Sequence, residues 1–238
     1  MGWFRFKGKD SRDFGILIAS VPQRIRPERR VKHIVIPGRN GDLTEDEGVY
    51  EPYTITMECS TRGSEKLDEI VAWLNGTGEL ILSTEPDKVY KASIYNKISI
   101  SDVVYLYNSF LLQFRVQPLK ASVNAFNERI EMEKPSQNGT GKVYQIYNRG
   151  TVCSKPTITI YANSDVMLHL NDNLIRLFGV DGHITIDSEM MEAYKDSENA
   201  NGKVSMTKGF PCFEVGDNSF RVRGVVDKIV IEPKWRWL

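Results

Sequence analysis

The sequence predicts a mainly β protein of two domains. An N-terminal β-sheet or sandwich with one packed α-helix comes first, then a C-terminal β-sandwich or jelly roll. Three observations carry this. Apolar residues recur with period two along most of the chain, the repeat of a strand with one buried face. One segment alone has the 3.6-residue repeat of a helix. Clusters of Gly, Asn, Asp and Pro separate the runs at short intervals, as tight turns do in antiparallel sheets.

Trp3, Phe4 and Phe6 open with a short aromatic strand, and Phe14 to Ala19 reads as a continuous buried strand. Val31 to Ile36 is the next strand, and Pro37-Gly38-Arg39-Asn40-Gly41 punctuates it as a turn. Tyr53, Ile55, Met57 and Cys59 alternate with polar residues, the pattern of a strand with one wet face. The helix follows. Ser64 suits an N-cap, and Leu67, Ile70, Val71 and Leu74 form one apolar stripe. Gly76 stands where a glycine C-cap belongs. Ile70 is the centre of that stripe and is expected to face the sheet. Later, Phe110, Leu112, Phe114 and Val116 mark one face of a long strand.

Residues Pro118 to Gly141 shift in composition and end in linker-like Pro, Gly and polar residues. The domain boundary is expected near residue 135, giving domains 1–134 and 135–238. A single domain with a long functional loop is the alternative. Beyond it no helix-length period occurs. Lys142–Asn148, Thr157–Tyr161, Val166–Leu170, Leu174–Phe178, His183–Asp187, Phe220–Arg223 and Lys228–Glu232 read as short strands. Asn171-Asp172-Asn173 is a hairpin signal between two of them. Asp196 to Gly202 is a polar tip.

The chain has 238 residues and balances 31 Lys+Arg against 31 Asp+Glu. That neutrality argues against a dedicated nucleic-acid binder, which needs a basic excess against phosphate. No apolar run is long enough for a spanning helix, and the opening residues lack a signal peptide's apolar stretch, so cytoplasmic synthesis without membrane insertion is expected. Cys59, Cys153 and Cys212 are few, odd in number and far apart, which predicts no structural disulfide.

Candidate chemistry is sparse. Gly8-Lys9 and Gly38 to Gly41 lack phosphate-loop spacing, and Asn171-Asp172-Asn173 lacks the ligands of a calcium loop. His33, His169 and His183 have no second ligand at metal spacing. Asp181, Asp187 and Glu189 read as acids at strand ends rather than a glycosidase pair. The expectation is therefore no catalytic residue, no cofactor and no metal. Two features remain. Arg24, Arg26, Arg29, Arg30 and Lys32 form a basic cluster, read as a solvated loop or a charged subunit contact, with a face that meets phosphate as the alternative. Trp235 and Trp237 near the end suit a closing strand or, alternatively, a stacking platform for a glycan or partner.

The order of these patterns resembles a known family. FGILIAS, HIVIPGRNGDL, YEPYTITMEC and a helix ending in WLNGTGEL are similar to the N-terminal part of the distal tail (Dit) proteins of long non-contractile-tailed bacteriophages. NRGTVCSKPTITIYANSD, ITIDSEMMEAY and GFPCFEVGDNSFRVRG are similar to that family's C-terminal domain. The resemblance spans nearly the whole chain, although Lys120 to Gln137 carries no recognisable pattern.

It implies a structural, non-enzymatic protein of the virion, at the tail tip or baseplate, assembled in the bacterial host cytoplasm from a phage or prophage gene. Such proteins form a hexameric ring. The N-terminal domain stacks between the tail tube protein and the tail-tip protein. The C-terminal domain is a galectin-like sandwich turned toward receptor-binding components, and DNA meets the ring only in transit through its lumen. By position, Pro37, Gly38, Arg39, Asn40 and Gly41 are expected in the contact between subunits. A carbohydrate-binding sandwich contacting the host surface through Trp235 and Trp237 is the alternative function.

Overall fold

The computed structural model describes residues 2–20, 22–62, 65–104, 107–137 and 140–238. The chain divides into two compact units, residues 1–123 with Leu238 and residues 124–237. Each has its own apolar core.

The first unit is built on one antiparallel sheet. Its strands run in the order Lys9–Asp10, Phe4–Phe6, Gly76–Leu82, Glu85–Ile94, Tyr107–Val116, Tyr53–Arg62 and Ile16–Ile18. The longest ladder pairs Tyr53–Arg62 with Tyr107–Val116 throughout. Along most of both strands the buried face is apolar: Cys59 lies opposite Phe110, Met57 opposite Leu112 and Ile55 opposite Phe114, and all six are buried. Lys7 and Gly8, both at positive φ, make the two-residue turn of the first hairpin. The segment Phe14–Ala19 is shorter as a strand than its sequence suggests. Phe14 ends a 3-10 turn over Ser11–Phe14, Gly15 caps it at φ 66, and only Ile16–Ile18 joins the sheet.

The helix α1 spans Leu67–Trp73. Its buried face differs by one step from the expected stripe: Ile70, Trp73 and Leu74 are buried, while Val71 is exposed. Trp73 decides the rotation. Its ring stacks on Phe14 at 4.5 Å and on Phe4 at 5.6 Å, and its Nε1 donates to Phe6 O at 2.9 Å. An indole buries more apolar area than a valine and here satisfies its own N–H. Gly76 is not the helix cap; Leu74 is, and Gly76 begins the next strand at φ 81. The expected N-cap, Ser64, lies outside the described residues.

The second unit is a sandwich of two antiparallel sheets. One orders Thr140–Gly141, Ile130–Gln137, Val226–Glu232, Thr157–Ala162, Gly182–Asp187, Glu192–Lys195 and Glu198–Asn199; the other orders Val143–Asn148, Gly216–Arg223, Val166–Leu170, Asn173–Leu177 and Val204–Met206. Alternate residues meet between them: Ile158, Ile160, Ile184, Ile186, Ile229 and Ile231 from one sheet, and Leu168, Leu170, Ile175, Leu177, Phe220 and Val222 from the other. This is the aligned packing of two half-wet sheets. The expected hairpin is present, with Leu170 opposite Asn173 and Asn171 at φ 52 in the turn.

The division falls before the expected 134/135 because Ile130–Gln137 is a strand of the sandwich, paired with Val226–Glu232. The stretch expected to be linker therefore contributes Met132 to the core. A second correction concerns the cysteines: Cys153 and Cys212 are joined as a disulfide, with Cα atoms 6.2 Å apart. Cys59 is free and buried. Spacing in sequence said nothing of this, because the two residues meet through the fold, 59 positions apart.

Asn218 has no exposed surface and ties the segment leading into its own strand to the strand Val143–Asn148 and to the hairpin turn at Asn171. Its Nδ2 donates to Glu214 O, Gly216 O and Ile146 O at 2.8, 2.9 and 3.3 Å, and its Oδ1 accepts from Glu214 N and Asn171 Nδ2 at 2.9 Å. Asn218→Ala orphans several buried groups and is expected to cost roughly 3 kcal/mol of unfolding free energy in urea. A loss below about 1 kcal/mol would show that these connections hold without it.

Candidate assembly surface

The strands Arg29–Val35 and Asp42–Tyr50 form a separate two-stranded sheet, an arm that pairs with no other strand among the described residues. Every residue of the first strand is exposed, and all but the last of the second. Pro37 to Gly41 forms its tip. Arg39 N donates to Ile36 O at 3.1 Å, and Gly38 sits at φ 82. Proline followed by a left-handed glycine is the signature of a type II turn. At the base the register shifts between Arg29 and Val31, and Gly48 N donates to Asp46 Oδ1 at 2.8 Å.

The arm segregates its charges by strand, basic on the first and acidic on the second. Arg29 meets Asp46 at 3.2 Å, Arg30 meets Glu51 at 2.5 Å and Glu47 at 3.8 Å, and His33 Nδ1 lies 2.9 Å from Asp42. Glu51 holds Arg30 above the usual guanidinium range, and Arg30 holds Glu51 below the usual carboxylate range, in each case chiefly through the hydrogen bond between them. Of the basic cluster, Arg29 and Arg30 find carboxylates on or beside their own hairpin. Arg24, further back, donates to Thr84 O at 3.0 Å. Exposed pairs of this kind contribute little stability.

Apolar side chains remain on the arm's surface. Ile34 lies opposite Leu43 on one face, and Val35, 78% exposed, stands on the other. Val31, Ile36 and Val49 are exposed as well. An isolated two-stranded ribbon is marginal in water, and contiguous exposed apolar residues mark interaction surfaces. Chemically the arm offers strand edges that pair with no other strand among the described residues, together with exposed apolar side chains. Sequence reasoning found this strand and its tip but not its isolation, because VKHIVI reads equally well as half-buried.

The other candidate residues are not brought together. Trp235 is 5% exposed and packs on Phe213 at a ring separation of 5.7 Å. Its indole is core and presents no open face for a glycan; Trp237 is half-buried against the same core. Asp187 is buried, accepting from Thr157 Oγ1 at 2.9 Å, from the N–H of Glu189 and Met190, and from Lys234 at 3.1 Å. Burial pushes its carboxyl up, but these donors outweigh that and leave it below the usual range. Asp181 pairs with Lys195 at 3.4 Å and Glu189 with Arg236 at 2.8 Å. Each acid has its own structural cation, and the three do not converge. His169 is held below its ordinary value by burial, then by Arg223 and Arg221. His183 lies beside Tyr161 and 3.5 Å from Asp196. Among the described residues no group of three or more His, Cys, Asp or Glu is placed to hold a metal, and no helix is long and apolar enough to cross a membrane.

No family model matches the sequence, and no curated protein does. Among solved structures, the chain matches the crystal structure of the SPP1 Dit (gp 19.1) protein, described as a paradigm of hub adsorption apparatus in Gram-positive infecting phages. The match covers 100% of both chains with a TM-score of 0.75 at 12% sequence identity. The chain therefore has the fold of that Dit protein from end to end.

Proposed function

We propose that this chain is a structural hub protein of a phage tail tip. It assembles with copies of itself into a closed ring, expected as a hexamer, that joins the tail tube to the tip and its host-adhesion apparatus. The observation that carries this is the full-length match to a Dit hub protein. The arm supports it independently. A ring needs each protomer to show two different complementary patches, and an exposed hairpin with apolar residues on both faces is one such patch. Pro37, Gly38, Arg39, Asn40 and Gly41, at the tip of that hairpin, are proposed to lie in the subunit contact.

On this reading the partners are the tail tube protein, the tail-tip protein and a receptor-binding component. DNA passes through the lumen without a dedicated site. The protein acts in the virion, has no enzymatic role, and its second unit is proposed to be galectin-like. A carbohydrate-binding role has less support, because Trp235 is buried in the core.

Native mass spectrometry with negative-stain images of the purified chain, alone and mixed with its tail partners, tests the proposal. Closed rings of six subunits are expected. Monomers only, under both conditions, would overturn it.

A further inference from the structure

We infer that Cys153 and Cys212 are a reversible thiol–disulfide pair that tightens the second unit when its surroundings become oxidising. The inference does not depend on the assembly reading. The Cα separation of 6.2 Å lies within the range that protein disulfides occupy. Cys153 stands on the connection between Val143–Asn148 and Thr157–Ala162, and Cys212 on that between Val204–Met206 and Gly216–Arg223.

What makes the pair switchable is a frame that holds the two connections together without sulfur. Ser154 N donates to Phe213 O and Phe213 N to Ser154 O, both at 3.0 Å. The buried side chain of Asn148 adds two more bonds, from Nδ2 to Val152 O at 3.1 Å and to Phe213 O at 3.0 Å, and its Oδ1 accepts from Gly150 N at 2.8 Å. The residues beside both cysteines are thus fixed by the backbone, so the sulfurs stay neighbours whether bonded or not. Both cysteines are half-exposed, within reach of a small thiol or disulfide, and accessible disulfides are the labile ones. Cys59 does not compete. It is buried in the other core, and burial pushes its thiol up to about 12, which keeps it protonated and unreactive.

The chemistry closes with a small-molecule disulfide such as oxidised glutathione. One cysteine thiolate attacks it, releasing one glutathione thiolate and forming a mixed disulfide. The second cysteine thiolate then attacks the protein sulfur of that mixed disulfide. The S–S bond of the pair forms and the second glutathione thiolate leaves. Two electrons pass from the protein thiols to glutathione, and the two protons given up by the cysteines end on the two glutathione thiols. Reduced glutathione runs the same steps backward. The mechanical consequence reaches the end of the sandwich, because Thr151 N donates to Arg236 O at 3.0 Å and Trp235 packs on Phe213.

The test uses the purified full chain equilibrated in glutathione buffers from fully reduced to largely oxidised. Alkylation and peptide mass spectrometry report which thiols are free, and thermal melting and amide exchange report the fold. Expected are free thiols at Cys153 and Cys212 in reduced buffer and their joint loss in oxidised buffer. Tm should be lower by about 10 °C in the reduced form, with exchange about tenfold faster at the Ser154 and Phe213 amides. Cys153→Ser should melt at one temperature in every buffer. If that variant does not fold, the wild-type comparison still decides. The inference is overturned if both thiols stay free in every buffer, if the bond persists in reduced glutathione, or if Tm is the same in both forms.

Discussion

Replacing Ile34 by Glu and Leu43 by Lys together is expected to abolish self-assembly while leaving the fold intact. The two residues lie opposite each other across the arm, so the new side chains pair as opposite charges and the hairpin keeps its register. Neither residue belongs to a core cluster, and thermal unfolding should shift by no more than about 0.5 kcal/mol. What disappears is an apolar patch. Full burial of side chains of this size contributes roughly 1.5–3 kcal/mol each, so losing both should weaken each contact a hundredfold or more. A closed ring repeats the loss at every interface. Native mass spectrometry of this double variant should find monomers under conditions in which the parent chain is expected to form the proposed rings. Rings persisting at the parent's concentration would mean that the arm is not the contact.

The second large effect is expected inside the first unit. Ile70 is 1% exposed at the centre of α1's buried face, beside Trp73 and Leu74. Ile70→Asp sets a carboxylate among those apolar side chains. A charge buried there, together with the lost packing, should cost roughly 3 kcal/mol or more. Urea unfolding should show the first unit melting early and the second unchanged, since their cores share no residue. A variant with parental stability would show that the helix does not pack as described.

Where one face was wet and the other apolar, the sequence was legible. Ile55, Met57 and Cys59 alternate with polar residues, as Phe110, Leu112 and Phe114 do but for the exposed Leu111, and the ladder sets those apolar residues opposite one another. The sandwich was read from the same signal in TITIY and KIVIE. Legibility failed where a tertiary contact decided the outcome. Trp73 turned the helix by stacking on Phe14 and Phe4, which lie far off in sequence. Ile130 and Met132 were obscured by their outward neighbours Glu131 and Glu133, so a core strand looked like a linker. Trp235 appeared available because its partner Phe213 is also distant in sequence. The disulfide was hidden for the same reason. The arm's isolation was invisible because alternation reports that a strand has two faces, not that either has something to rest on.

The separateness of the two cores also bears on how such a molecule can change over generations. Because the two cores have no buried side chain in common, a substitution that repacks one leaves the apolar neighbours within the other as they were. Lineages built this way can accumulate changes inside one core while the packing inside the other stays fixed.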